Sequence, residues 1–145
     1  MAILNVVKYP DDVLREKCKD VSKIDDGIKS LITDMSDTMY SAPGIGLAAN
    51  QVGRLERILI LDVTYDKETL SNKNLQVFIN PVIKKGAGVI EYEEGCLSLP
   101  GLYLTIKRKN YVEVESMNER GQSILTKAEG LFAVVLQHEV DHLDG

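Results

Sequence analysis

Residues 24 to 40 carry the clearest helical pattern in the first half of the chain. Apolar side chains recur there every three or four positions, which gathers them on one face of a helix. They are Ile28, Leu31, Ile32, Met35 and Met39. We predict a helix that ends before Pro43 and packs its Met-rich face into the core. A shorter helical turn is predicted before it, at residues 11 to 18.

Past residue 56 the pattern becomes that of β-strands. Apolar runs at residues 57–63 and 76–80 are short and rich in branched side chains, and Pro81 closes the second run. A third strand begins at residues 89–93, behind two glycines. We expect these strands to be short and to pair in antiparallel fashion.

Residues 111–117 alternate between polar and apolar side chains, which is the period of a strand with one buried face. The turn sequence Asn118-Glu119-Arg120-Gly121 joins them to residues 122–127, so we predict a hairpin with one face in solvent. Residues 64–74 are polar and charged, and they are the segment best suited to be a mobile loop.

A second helix is predicted at the end of the chain, where Glu129 and Gly130 open it. Its apolar residues lie one and two turns before His138, on nearly the same face. They are Leu131, Val134 and Val135. The side of the helix that carries His138 is therefore apolar before it becomes polar.

Both histidines of the chain, His138 and His142, lie in this predicted helix. A spacing of four residues puts two imidazoles on the same side of a helix, where they can approach one divalent metal ion. Glu139 lies beside them, in the place of the general acid/base in the HExxH pattern. Two solvated or capped histidines with no metal are the alternative, and a third ligand is needed to decide against it.

Cys96 is the candidate for that third ligand. It follows Gly95 in a turn-like stretch at the end of a predicted strand, and Pro100 stops the hydrogen-bonded ladder there. A thiolate and two imidazoles leave the fourth position of a tetrahedral metal for water, which is the arrangement of a catalytic site. Taken alone, Cys96 has the alternative interpretation of a small buried apolar residue.

The run Gly44-Ile45-Gly46-Leu47-Ala48-Ala49-Asn50-Gln51 consists mostly of small residues. Little side-chain volume keeps another backbone or a ligand away from such a run. It lacks the third glycine of a dinucleotide-binding fingerprint and the Lys-Ser/Thr pair of a P-loop. The run therefore predicts a close approach, and not a nucleotide site.

The 145 residues, 44% hydrophobic and 27% charged, suit a single domain, to which we assign residues 1–145. A net charge of −5 argues against nucleic acid as a partner. The sequence indicates no signal peptide and no membrane-spanning apolar run, so a cytoplasmic protein is expected. Cys18 lies in a charged, helix-like stretch without a motif, and we interpret it as structural.

Three stretches together resemble the motifs of one family, the peptide deformylases. They are residues 44–51, Glu94-Gly95-Cys96-Leu97-Ser98 and Gln137-His138-Glu139-Val140-Asp141-His142, in the family's order and with similar spacing. The likeness extends over nearly the whole chain. It implies an α+β fold with short antiparallel strands packed around a C-terminal helix that carries the metal ligands. It also implies a metal-dependent hydrolase that removes the formyl group from the N-terminal formylmethionine of newly made polypeptides.

The resemblance implies a role for each motif residue. The metal ligands that it implies are Cys96, His138 and His142. Glu139 is implied to be the general acid/base that acts on water bound to the metal. The side-chain amide of Gln51 and the backbone N–H of Leu97 are implied to donate hydrogen bonds to the oxyanion.

The same resemblance implies a pocket for the methionine side chain of the substrate. Its implied lining is Ile45, Leu131, Val134 and Val135, and Gly46 is implied to contact the peptide backbone. Arg108 matches an arginine of relatives, and we expect it to pair with Glu94 and so to support the Cys96 loop. Two solvated side chains are the alternative for that pair.

Fe(II) is the metal that the resemblance implies, with Zn, Ni or Co able to substitute for it. The expected partners are N-formylmethionyl peptides of nascent chains, at the ribosome or away from it. Neither direct binding of nucleic acid nor a membrane is expected, and the protein is expected to be a monomer. A bacterial-type cytoplasmic origin is expected, and an organellar or phage-encoded origin stays open.

Two rival functions and one weak point of the fold concern the last helix. A zinc metallopeptidase is the first rival, although such enzymes usually take a third ligand downstream of the HExxH helix. A catalytically silent relative is the second, and the presence of both Glu139 and Gln51 argues against it. Because Gly145 comes three residues after His142, we expect the last turn of the helix to fray.

Overall fold

A computed structural model of the chain describes residues 16–41, 44–64, 74–96 and 99–144, together with Leu4, Val6 and Leu14. Of residues 92–96 and 99–106 only the main chain is described. The helices are α1 (Asp26–Ser41) and α2 (Leu131–Leu143), and a 3₁₀ turn covers Ala49–Val52. The strands are β1 (Gly46–Ala48), β2 (Ile58–Leu61), β3 (Gln76–Ala87), β4 (Ile90–Cys96), β5 (Leu99–Arg108), β6 (Tyr111–Met117) and β7 (Ser123–Glu129).

The strands form two antiparallel sheets. Five of them pair in the order β1-β2-β3-β6-β7, and β4 and β5 form a separate two-stranded ribbon. Neighbours in sequence are neighbours in space except where β6 pairs with β3 across the ribbon. This is the mixed α+β architecture, with antiparallel strands around the last helix, that the sequence predicted.

The two helices pack on opposite faces of the five-stranded sheet. All four residues of β2 are buried, which explains a continuous apolar run without alternation. Ile58 and Ile60 belong to the core formed with α1, whereas Leu59 and Leu61 belong to the core formed with α2. A strand that is covered on both faces needs an apolar side chain at every position.

Helix α1 confirms the prediction made from the apolar periodicity. Leu31, Ile32, Met35 and Met39 are buried on its inner face. The Asp25 carboxylate accepts a hydrogen bond from the Ile28 backbone N–H at 3.0 Å, as an N-cap residue does. The hairpin of β6 and β7 is confirmed as well, with Val112 and Val114 buried and Glu115 exposed.

Strand β3 corrects the prediction that Pro81 would close a strand. The strand continues to Ala87, because the register shifts between Ile79 and Val82 and leaves Pro81 outside the regular ladder. Asn80 adopts a φ of 54° at this irregularity. Pro81 has no N–H to donate to the ladder. Its carbonyl oxygen accepts hydrogen bonds from the Arg57 guanidinium.

Strand β5 was not predicted from the sequence, and Pro100 does not end the ladder as expected. It is the second residue of β5 and lies within the register shift between the Gly95–Tyr103 and Cys96–Leu99 pairs, where a proline is tolerated. Residues 65–73, in the predicted mobile loop, lie outside the described residues, as do most of residues 11–15 in the predicted helical turn.

Cys18 is not in a helix, but its interpretation as a structural residue agrees with the fold. The side chain is 4% exposed and packs in the core beneath α2. Burial raises the pKa of the Cys18 thiol to about 11, so the thiol is protonated and unreactive at neutral pH. No helix in the described part of the chain is long and apolar enough to span a bilayer.

Candidate metal centre

His138 and His142 meet on one side of α2, one turn apart. Their Nε2 atoms are 3.2 Å from each other, and both rings are partly exposed. Two nitrogens bound at 2.0–2.1 Å to one tetrahedral metal would be about 3.3 Å apart. The imidazoles therefore already have the separation that a shared divalent ion requires.

Glu139 is buried between the two histidines and strand β1, with 2% of its surface exposed. Its carboxylate and the two imidazoles offer ligand atoms that all lie within 4.8 Å of one another. A Cβ atom built on Gly46 would lie 2.9 Å from Glu139 Oε2 and 3.0 Å from Val135 Cγ1. Only glycine lets β1 pass this close, and this approach restricts where the carboxylate can lie.

Gln51 lies in the 3₁₀ turn that follows β1, and it is 1% exposed. Its Oε1 atom accepts a hydrogen bond of 2.9 Å from the Ala48 backbone N–H. This bond orients the amide, because the oxygen faces Ala48 and the donor nitrogen Nε2 must point elsewhere. The turn therefore presents an oriented amide donor next to the strand that contacts Glu139.

The structure brings together some of the residues of the predicted methionine pocket. Ile45 packs against the core cluster that contains Val135, and Gly46 contacts Val135 directly. Val134 is buried, and Leu131 is 36% exposed in the first turn of α2. Leu131 and Val135 are one turn apart, so they share a face of the helix.

The side of α2 that carries Gln137 and Asp141 is bound to the end of β5. Gln137 Oε1 accepts a bond of 3.0 Å from the Lys109 N–H, and Gln137 Nε2 donates to the Lys109 carbonyl at 2.7 Å. The Arg108 guanidinium pairs with the Asp141 carboxylate. Arg108 thus supports the ligand helix itself, while the side chain of Glu94, its expected partner, is outside the described atoms.

The carboxyl end of α2 bonds to segments far away in the sequence, so it is not left without partners as the expectation of fraying assumed. Arg57, only 8% exposed, donates from its guanidinium to the Asp144 carboxylate at 2.7 Å. The same guanidinium donates to the Pro81 carbonyl, and the Leu143 carbonyl accepts a bond of 2.8 Å from the Cys18 N–H. The segments around Cys18 and Arg57 therefore hold the last turn, and Pro81 holds the Arg57 guanidinium.

Two predicted site residues lie where the structure gives little or nothing. Cys96 is the last residue of β4, paired with Leu99, and its side chain is not described. Leu97 is outside the described residues. The supporting roles of Gln137 and Arg57, in turn, were not predicted from the sequence. The only signal of Gln137 was a polar side chain beside a proposed ligand. The only signal of Arg57 was a charged side chain in a predicted apolar strand.

Comparison with known proteins identifies the fold that carries this centre. The model of the polypeptide deformylase family matches residues 3–145. The chain belongs to the peptide deformylase family. Members of this family are hydrolases that remove the formyl group from the N-terminal methionine of new polypeptides. This family, and not the metallopeptidases that share the HExxH pattern, is therefore the one to which the chain is assigned.

Individual relatives cover the whole of the chain. A peptide deformylase of Neisseria meningitidis serogroup C is 48% identical over 145 residues, which are 100% of this chain and 84% of the relative. The crystal structure of a peptide deformylase from Legionella pneumophila matches with a TM-score of 0.91 and 40% identity, over 99% of this chain and 82% of that one. A Synechococcus elongatus peptide deformylase in complex with actinonin gives 0.91 and 43%, over 97% and 76%.

Proposed function

We propose that the chain, as a single catalytic domain over residues 1–145, deformylates nascent peptides at a metal held by His138, His142 and Cys96. The 3.2 Å between the two Nε2 atoms is the observation that supports the proposal most directly. The alternative explanation of this separation is a single N–H···N hydrogen bond between two neutral rings with no ion between them. A thiolate is the third ligand that we propose, because it leaves the neighbouring carboxylate available for proton transfer.

Glu139 acts in this proposal as the general acid/base. A divalent metal held by these residues would lower the pKa of a water molecule towards neutrality. Glu139 would take a proton from the water that attacks the formyl carbon and would then deliver it to the departing amine. The close approach of Gly46 to Glu139 restricts where the carboxylate can lie.

Gln51 and Leu97 stabilise the oxyanion that forms on the formyl group. The Ala48 N–H fixes the oxygen of the Gln51 amide, so that the Nε2 donors are the part of the side chain that the oxyanion meets. The backbone N–H of Leu97 is the second donor that we propose. Donors of this kind have contributed about 3–4 kcal/mol each where single donors were removed from other enzymes.

The apolar stripe before His138 receives the methionine side chain. Ile45, Leu131, Val134 and Val135 form this pocket in our proposal, and Gly46 contacts the peptide backbone. The burial of Val134 and Val135 and the packing of Ile45 on the core give the pocket a rigid floor. Leu131 stays partly exposed, as suits a residue at the mouth of a pocket that opens to a peptide.

The metal and the setting of the reaction complete the proposal. A thiolate and two imidazoles accept Fe(II), Zn, Ni and Co, and we propose Fe(II) as the resident metal. The protein works as a cytoplasmic monomer on nascent chains, at the ribosome or after their release.

Exchange of Glu139 for Gln separates proton transfer from metal binding. Glu139→Gln should keep the metal after dialysis and lose about 10²–10⁴ in turnover of formyl-Met-Ala-Ser, because only the proton acceptor is removed. Glu129→Gln is the matched control, since this exposed carboxylate just before α2 should be replaceable without loss. Loss of metal and turnover together would make Glu139 a ligand, and wild-type protein that binds metal without turnover would be a silent relative.

Exchange of Cys96 for Ser tests the third ligand. Metal affinity should fall at least tenfold, because a hard hydroxyl replaces a soft thiolate. Cys18→Ala provides the control, since this buried thiol belongs to the core and should leave metal content unchanged. A Cys96→Ser variant with full metal content after dialysis against a chelator would contradict the ligand set.

A further inference from the structure

The last carbonyl groups of α2 need partners from outside the helix. The final four C=O groups of an α-helix have no N–H ahead of them within the helix. At this end the Leu143 carbonyl accepts from the Cys18 backbone N–H. The carbonyl of His142, a residue of the metal centre, accepts a hydrogen bond from the Asn50 side chain through Nδ2.

Asn50 occupies a special place in the chain. It is the second residue of the 3₁₀ turn, it directly precedes Gln51, and it is 0% exposed. Gly46, four residues earlier, contacts Glu139 on the same helix. The run of small residues therefore touches α2 at two points, three residues apart, and both points belong to the metal centre.

The buried amide of Asn50 is paired through its nitrogen and not through its oxygen. Within the described part of the chain the Oδ1 atom of Asn50 has no hydrogen-bond partner. Burying an unpaired polar oxygen is unfavourable, so the bond from Nδ2 must offset that cost. The donor Nδ2 is the group that has a function here, and its partner is the main chain of His142.

We infer that Asn50 is a positioning residue for the metal ligand His142. Its hydrogen bond couples the Gln51 turn to the carboxyl end of the ligand helix. The inference rests on the proposed function, in which His142 binds the metal and Gln51 the oxyanion. The bond to the His142 carbonyl fixes the Cα position from which the imidazole reaches the metal. It also fixes the distance between the metal and the amide of Gln51, because residues 50 and 51 move together.

Asn50→Asp and Asn50→Ala test the inference with Co(II) as the probe. Asp keeps the shape of the side chain but points a carboxylate at a carbonyl, and Ala removes the donor without adding charge. Asn80→Asp is the matched control, because Asn80 Nδ2 donates to the Val21 carbonyl at 2.8 Å, a main-chain group outside the metal centre. The readouts are the rate of Co(II) release to a chelator, the visible Co(II) spectrum, and the thermal midpoint of the metal-free protein.

We expect both Asn50 variants to release Co(II) at least tenfold faster than the wild type and to change its spectrum, because the ligand geometry relaxes. Asn80→Asp should lower the thermal midpoint and leave both metal readouts unchanged. Asn50 variants with a lower midpoint but wild-type release and spectrum would overturn the inference, since the bond would then be only structural. His142→Ala distinguishes failure of the proposed function from failure of this inference. If the His142→Ala variant held Co(II) as the wild type does, the proposed metal site would be wrong, and so would the role of Asn50.

Discussion

Helices α1 and α2 cover opposite faces of one sheet, yet they bury different kinds of side chain. The buried face of α1 is apolar apart from Thr38, whose hydroxyl donates to the Asp34 carbonyl of its own helix. Helix α2 buries Gln137 and Glu139 within its apolar face. A buried polar group needs a partner. Thr38 also accepts one hydrogen bond from another segment, from the Leu4 N–H at 2.8 Å. Gln137 both donates to and accepts from the Lys109 main chain, so α2 relies more on polar bonds to a distant segment than α1 does.

Deleting core volume beneath α1 should have a larger effect than any change to the polar contacts of either helix, and it should act on stability alone. Met35 is 0% exposed, so Met35→Ala should cost about 2–5 kcal/mol of unfolding free energy through lost burial and the cavity left behind. Urea denaturation measures the loss. Turnover per folded molecule should stay at the wild-type value, and a specific loss of turnover would mean that α1 also shapes the site.

A single methyl group on β1 should do the reverse and act mainly on catalysis. In Gly46→Ala the new Cβ would lie 2.9 Å from Glu139 Oε2, so the carboxylate must move, and a shift of about 1 Å can cost about 10²-fold in kcat/KM. Gly27→Ala, at an exposed position of α1, is the control, because its Cβ would meet no closer atom than Asp25 Oδ1 at 3.3 Å. Equal activity of the two variants would show that Glu139 is not held by β1.

The same contrast explains how much could be predicted from the sequence. Helix α1, the hairpin of β6 and β7, and the HExxH helix follow from periodicity and spacing, because their patterns are local. Pro81 and Pro100 misled the strand assignment, since each is tolerated at a register shift that only the pairing of the strands defines. Arg57 and Gln137 could not be assigned, because their partners are distant in the sequence.

The Gln137 bridge to Lys109 should contribute less than the core but more than a surface contact. Gln137→Leu keeps the side-chain volume and leaves the Lys109 main chain without its two partners, which should cost about 1–3 kcal/mol. Gln122→Leu, on an exposed turn, should stay within about 0.5 kcal/mol of the wild type. Equal urea midpoints for the two variants would contradict the view that α2 relies on its polar partners.

Helix α1 bonds to the residue that follows β2 through Tyr40. Loss of this bond should give the smallest effect, and one that depends on pH. The Tyr40 hydroxyl donates to Asp62 Oδ2 at 2.6 Å. Burial raises the pKa of Asp62, but the hydrogen bonds from Tyr40, Asn74 and Thr64 outweigh it, so the pKa lies below its ordinary value of 3.8. A carboxyl group whose pKa is lower in the folded state stabilises the fold at pH values above its unfolded-state pKa. This stabilisation is lost as the pH falls through the folded-state pKa.

Tyr40→Phe should therefore cost about 0.5–1.5 kcal/mol at neutral pH, where the carboxylate is charged. The difference from the wild type should begin to narrow near the unfolded pKa of 3.8 and close only below the lowered pKa of Asp62. Urea unfolding across this range measures the difference, with Tyr111→Phe as a control, whose hydroxyl bonds Glu113 on the hairpin. A difference that stayed constant down to the acid end would mean that the Tyr40 hydroxyl acts through packing and not through the charge of Asp62.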